Sequence, residues 1–246
     1  MIPTWLTLDL ILLLGKGVGL TIALTIITTI LSVIIGLGVG SLRLGQQRWI
    51  RWPATLFIEF FRNIPALVLI IFWAFAFPNA FATETRQLLF FNNPFINTLA
   101  DTTGLLVPWY GIAAILGLTL NTAAYIAELF RAGVQTIAQE QVAAAQTMGA
   151  STWVVFRRIL IPGGVRAAYP AITSRLIHNL KNTALASFVS VPEFFNSIET
   201  AITRSFLAIE FLTIAAIIYL ALSISFSAGL QRLEALLYPT RKVSAS

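Results

Sequence analysis

From Gly17 to Leu42 the chain carries no charged residue, and almost every position is apolar or small. A helix needs about 20 such residues to cross the hydrocarbon core of a bilayer. Inside lipid, only a helix or a closed barrel satisfies every backbone polar group. The run is therefore expected to be a transmembrane helix, and it does not stand alone. Over 246 residues, 57% are hydrophobic and 11% charged, against roughly 25% charged in a soluble domain. The chain reads as an integral membrane protein with no room for a large soluble domain. Its basic balance, with a formal net charge of +6, sits at the edges of apolar runs, so topology explains it better than nucleic acid does. There is no Cys and only one His, which excludes a disulfide framework and makes a metal cluster improbable. Residues Met1 to Asp9 have no basic segment and no small-residue cleavage site, so no cleaved signal peptide is expected.

The apolar runs predict an all-α integral membrane protein with five transmembrane helices in one domain, 1–246. They fall at about 17–42, 54–77, 108–132, 167–188 and 206–230. Gly36, Gly38 and Gly40 suit close helix contact in the first. A long connection from Pro78 to Val107 holds Asn92, Asn93, Pro94, Asp101 and Gly104, with a short interfacial helix expected near Gln87 to Phe91. Pro170 is expected near the start of a kinked fourth helix. Val191 to Arg204 is a polar connection.

With five spans, Arg43, Arg48, Arg51, Arg131, Arg157, Arg158, Arg166, Arg232, Arg241 and Lys242 all fall on one side. Asp9, Glu84, Arg86, Asp101, Glu193, Glu199 and Arg204 fall on the other. The positive-inside rule then puts the N-terminus outside and the C-terminus in the cytoplasm.

The segment 133–166 is the polar exception, and it is predicted to be cytoplasmic. Ile137 to Met148 suits a helix, Gly149 a left-handed turn, and Ser151 or Thr152 the cap of a second short helix. That helix is expected to end by Pro162. Composition leaves two readings open: a helix pair resting on lipid headgroups through Arg157 and Arg158, or a docking surface for another protein.

Four pieces of sequence resemble one family. Ala143-Ala144-Ala145, then Gly149, then Ile159, Ile161 and Pro162 are similar to the EAA loop of ATP-binding-cassette importer permeases. Glu59-Phe60-Phe61-Arg62-Asn63-Ile64-Pro65 resembles the start of the second helix of the polar amino-acid branch. Ala123 to Glu128 with Arg131 resembles its third helix. Lys181-Asn182-Thr183-Ala184-Leu185-Ala186-Ser187 resembles its fourth. The chain is identified as a member of that branch, the histidine, glutamine and glutamate–aspartate permeases, and its Arg-Asn-Ile-Pro and Lys-Asn wording is similar to the members for glutamate, aspartate and neutral amino acids. Two residues depart from the EAA pattern: Ala143 stands where the family has Glu, and Ile161 where it has Leu. Glu140, a helical turn earlier, offers a replacement charge.

The resemblance implies a type I importer fold, a bacterial inner-membrane location and alternating access. It implies docking of a cytoplasmic ATPase dimer on the loop, through Glu140, Gln141, Ala143, Ala144, Ala145, Gly149, Arg157, Arg158 and Pro162. It further implies a second permease subunit, identical or paralogous, and an extracellular solute-binding protein. No phosphate-binding loop occurs in the chain, so ATP and Mg belong to the partner and the chain itself is not an enzyme. A permease for another solute and an ion-coupled carrier remain as alternatives; the latter often shows internal repeats, and none is visible.

Ionisable groups on apolar helices are costly in lipid and face protein or water. Glu59 with Arg62, and Glu128 with Arg131, are expected to form structural or gating pairs at i, i+3. Lys181 is expected either to meet a substrate carboxylate or to bridge to Glu128 or Glu59. Thr122, Tyr125, Asn182, Thr183 and Ser187 are the neutral groups expected along the substrate path. His178 is read as a packing residue.

Overall fold

The computed structural model describes residues 7–45, 47–92, 94–103 and 108–238. Arg241 and Lys242, and Asn93, Gly104 and Val107 of the long connection, lie outside the described residues. Every regular element among the described residues is helical. The helices that matter here are α1 (Leu8–Arg43), α2 (Arg48–Asn63), α3 (Ala66–Asn79), α4 (Pro108–Gln135), α5 (Gln139–Thr147), α6 (Ile161–Asn182), α7 (Phe194–Ser205) and α8 (Ala208–Leu237). Three of them, α1, α4 and α8, are long and apolar enough to cross a membrane; the bent pair α2–α3 makes a fourth if counted as one span.

α4 is the centre, with α1 and α6 packed along it. Its small residues, including Gly111, Ala113, Ala114, Gly117, Ala123, Ala124 and Ala127, are buried around most of its circumference. A helix apolar all round belongs inside a bundle, and small side chains let neighbouring backbones approach. α1 meets it with a stripe of small residues, among them Thr25, Thr28, Ser32, Gly36 and Gly40. A Cβ at Gly36 would lie 2.7 Å from Ile126 Cβ and 2.8 Å from the Ala123 carbonyl oxygen. Gly38 faces open space instead, so close contact is confined to two of the three glycines. The buried Thr hydroxyls bond back into α1: Thr25 donates to the Thr21 carbonyl and Thr28 to the Leu24 carbonyl, both at 2.7 Å.

Four expectations need correction. α1 begins at Leu8, not Gly17, and Leu10, Leu13 and Leu14 of its first turns pack against α7 and α8. The second run is not one helix. It breaks at Ile64–Pro65, and α3 leaves at 104° to α2. Ile64 is extended, at φ −97° and ψ 131°, as the residue before a proline prefers. The segment 59–65 thus forms the end of a helix and a break, not the start of a span. Pro162 does not end a helix either. A wide turn over Phe156–Leu160 leads straight into α6. Pro162 sits in the first turn of α6, where its missing N–H is tolerated. Pro170 lies inside α6 rather than near its start.

α6 tightens after Asn182 into 3₁₀ turns over Thr183–Val189 and stops at Ser190, whose φ is +58°. Glu193, assigned by sequence to an outer polar connection, is fully buried. It caps α7 by accepting from the Asn196 and Phe195 amides at 2.9 and 3.0 Å. It also accepts from Thr21 on α1 at 3.1 Å and Tyr219 on α8 at 3.0 Å. Four donors offset the loss of hydration that burying a carboxylate entails.

Candidate substrate cavity and coupling surface

The break between α2 and α3 creates the cavity. Ending α2 early leaves carbonyls without intrahelical donors, and Asn121 of α4 supplies one. Its Nδ2 donates to the Phe61 carbonyl at 2.8 Å and the Ile64 carbonyl at 3.1 Å. Non-helical backbone is tolerated at membrane depth where protein or a cavity satisfies it. Here both do: a space of about 410 Å³ opens beside the break, lined among others by Arg62, Asn63, Asn121, Tyr125, Arg175, His178 and Asn182.

Arg175 dominates this space. Its Nη2 donates to Asn121 Oδ1, and to Thr122 Oγ1 at 3.4 Å. Its guanidinium lies 3.9 Å from the centroid of the Tyr125 ring, and Tyr125 in turn donates to the Arg62 carbonyl at 3.3 Å. Behind it, Thr122 donates to Asn179 at 2.9 Å and Asn179 to Thr28 at 2.8 Å. That chain pins α4, α6 and α1 together under the cavity. Arg175 forms no ion pair among the described residues, and its Nε is buried without a hydrogen-bond partner.

A second cluster lies one to two turns further along α4. Glu128 pairs with Arg131 at 2.6 Å, with Arg62 at 3.9 Å and, closely, with Arg43. Glu59 pairs with Arg62 at 3.3 Å and Arg43 at 3.7 Å. The two i, i+3 pairs therefore merge through Arg43 into a five-residue network joining α1, α2 and α4. Sequence reasoning used Arg43 only to set topology, because it stands at the end of an apolar run.

Of the neutral groups expected along the path, Tyr125 and Asn182 line the cavity. Thr122 is buried beneath it, bonded to Arg175. Thr183 and Ser187 are buried in the 3₁₀ segment, where Thr183 donates to the Leu180 carbonyl at 2.7 Å. They belong to packing, not to the open space. Lys181 is exposed and makes no ion pair with Glu128 or Glu59; both carboxylates are already held by arginines. His178, read as a packing residue, is exposed and lines the cavity. Arg175 and Asn121 were missed as a site. The signal available was a cation and an amide facing one another across two helices, which no spacing within one helix reveals.

The polar loop has a different character. α5 buries none of its residues in this chain; Glu140, Gln141, Ala143 and Ala144 are exposed and Ala145 partly so. Gly149 takes φ +88°, a conformation that costs glycine little. Ser151 then caps the next turn, accepting from the Val154 amide at 3.4 Å. Arg157 and Arg158 are exposed on the wide turn that leads to Pro162. A helix with no buried face of its own leaves its whole surface open to solvent or to a partner.

The profile of the family described as binding-protein-dependent transport system inner membrane component matches residues 32–236. The chain belongs to that family. As such an inner membrane component, it is a multi-pass membrane permease subunit. It is similar to YckA of Bacillus subtilis (strain 168), a probable amino-acid ABC transporter permease protein, at 29% identity over 84% of this chain and 81% of the relative. It is similar to the octopine transport system permease protein OccM of Rhizobium radiobacter, at 30% identity over 85% of this chain and 79% of the relative. Among solved structures, an amino acid ABC transporter with histidines shares the fold, with a TM-score of 0.70 at 24% identity, covering 90% of this chain and 92% of that one.

Proposed function

We propose that this inner membrane component is the translocating subunit of an ATP-driven importer of a polar amino acid. The observation that carries the reading is Arg175: a cation without an ion-pair partner, facing a cavity at a helix break. A guanidinium binds a carboxylate through a planar fork, and every α-amino acid offers one. Arg175 takes the anchoring role that sequence reasoning offered as one of two readings of Lys181. Arg62 and Arg175 line the cavity and no carboxylate does, among the described residues. That balance favours an acidic or neutral polar substrate over a cationic one. Relatives named for octopine and amino-acid transport support a polar amino acid as the substrate, without choosing its charge.

Five crossings fit the chain if the bent pair α2–α3 contributes one crossing, made by α3, and α6 with its 3₁₀ extension makes another. The N-terminus then lies outside, and α5 lies in the cytoplasm. There, Glu140, Gln141, Ala143, Ala144, Ala145, Gly149, Arg157, Arg158 and Pro162 form or support the surface for an ATPase dimer, which binds ATP and Mg. A second permease subunit completes the path, and a solute-binding protein delivers substrate from outside. ATP and loaded binding protein favour different states of the bundle, which is what coupling requires. The network of Arg43, Glu59, Arg62, Glu128 and Arg131 closes the cytoplasmic side of the cavity.

The test is reconstitution with the ATPase and binding protein in vesicles. ATP-dependent uptake of an acidic or neutral amino acid is expected. Arg175→Ala should cut uptake more than tenfold while basal ATP hydrolysis changes little. Absence of uptake of any amino acid by the wild-type complex overturns the function; equal loss of both activities in Arg175→Ala overturns the anchor.

A further inference from the structure

α2 has two apolar faces. Ala54 and Ile58 are buried, on the side packed against α1 and α4. The other face carries Trp49, Trp52, Leu56 and Phe60, which are 75%, 69%, 53% and 54% exposed. Their spacing of three, four and four residues lines them along one side of the helix.

The direction of α2 sets what that stripe meets. α3 follows α4, with Ile70 against Gly117 and the Trp73 carbonyl accepting from Trp109 Nε1 at 3.1 Å. At 104° to α3, α2 runs across the bundle rather than along it. It does so near Glu128 and Arg131, close to the end of α4. Arg48 and Arg51 stand in the first turn of the same helix, both exposed. Neither forms an ion pair among the described residues, and there is no acidic residue from Gln47 to Ile58.

We propose that α2 lies in the plane of the cytoplasmic leaflet and binds anionic phospholipid headgroups through Arg48 and Arg51, with Trp49 and Trp52 at the headgroup boundary. The proposal rests on the orientation given above. Indole rings favour that boundary, being apolar in body with one polar N–H. Basic residues beside an apolar helix stripe draw it to anionic lipid. A protein partner would cover the same stripe, but it would not account for two cations without acids. Glu59 and Arg62 stand in the last turns of α2, so the lipid contact at one end is joined to the charge network at the other.

The full chain, reconstituted in phosphatidylcholine–phosphatidylglycerol vesicles, tests this by tryptophan quenching with acyl-brominated lipid. The signal of Trp49 and Trp52 is the difference between wild type and Trp49→Phe/Trp52→Phe. Quenching of that signal is expected, and it should be stronger when the bromine is on phosphatidylglycerol than on phosphatidylcholine. Arg48→Gln/Arg51→Gln should erase the preference with helical content unchanged. No quenching by either lipid would assign the face to a protein partner, and equal quenching by both in wild type would remove headgroup selection; either result overturns the proposal. The readout involves no transport, so a failure of ATP-driven uptake would count against the proposed function alone.

Discussion

The guanidinium of Arg175 on α6 lies 3.9 Å from the centre of the Tyr125 ring on α4. The ring covers one face of the cation while the Tyr125 hydroxyl bonds the backbone of α2 at Arg62. Position and charge of the proposed anchor are thus set by a neighbour that also senses the helix break.

That arrangement separates the ring from the hydroxyl. A cation–π contact is worth about 0.5–1 kcal/mol when exposed and about 2 when desolvated. Tyr125→Leu should therefore raise the KM for uptake by roughly 5- to 30-fold. Tyr125→Phe keeps the ring and should stay within a few-fold of wild type. Uptake kinetics in vesicles decide it: equal effects of the two substitutions would remove the stacking role.

The charge network yields a stability prediction. Glu128 sits among Arg43, Arg62 and Arg131. Glu128→Gln leaves Arg131 without a counter-charge and leaves Arg43 and Arg62 to share Glu59 alone. Breaking a buried pair costs about 3–5 kcal/mol; these side chains are partly exposed, so a loss of about 1–3 kcal/mol is expected. Glu59→Gln, with a more exposed side chain, should cost less. Adding Arg43→Gln to Glu128→Gln should recover part of the loss, because the two residues are directly paired and should be non-additive. Thermal unfolding in detergent measures all four proteins.

How far residues could be read from sequence depended on whether their signal lay within one helix. The apolar run of α1, the turn at Gly149 and the i, i+3 charge pairs are local patterns, and each can be seen in a few residues. The break at Ile64–Pro65 was also written locally, in a proline inside an apolar run, but hydropathy averaged it away. What could not be read was tertiary. Asn121 looks like any amide in an apolar helix until the carbonyls of Phe61 and Ile64 come within 3.1 Å. Glu193 looks like a loop acid until Thr21 and Tyr219 close over it. Lys181 drew attention for its charge, yet Arg175, six residues earlier on α6, is the cation that faces inward.

Close packing of α1 on α4 gives a paired test. Gly36→Ala places a methyl 2.7 Å from Ile126 Cβ and 2.8 Å from a backbone oxygen, and overpacking of this kind costs about 1–3 kcal/mol. Gly38→Ala meets no atom within 4 Å. Alanine is also the better helix former by about 1 kcal/mol, so this variant should be neutral or slightly stabilised. Melting temperatures of the two variants should move in opposite directions or differ clearly; a matching fall would mean that the two helices do not approach at Gly36.

The proposed coupling surface is the last case, because there the chain buries no residue of its own. α5 buries nothing, and Met148 just beyond it is 89% exposed. Ala144→Arg and Met148→Asp should therefore leave the melting temperature of the isolated chain within about 0.5 kcal/mol equivalent of wild type, as substitutions at open surface do. Both should reduce co-purification with the ATPase and abolish ATP-driven uptake, since a bulky or charged group at a flat alanine surface prevents close docking. Glu140→Gln tests the charge one turn before Ala143. If Glu140 replaces the missing acid, this variant should weaken ATPase binding with no change in fold. Wild-type binding by all three variants would move the docking site away from α5.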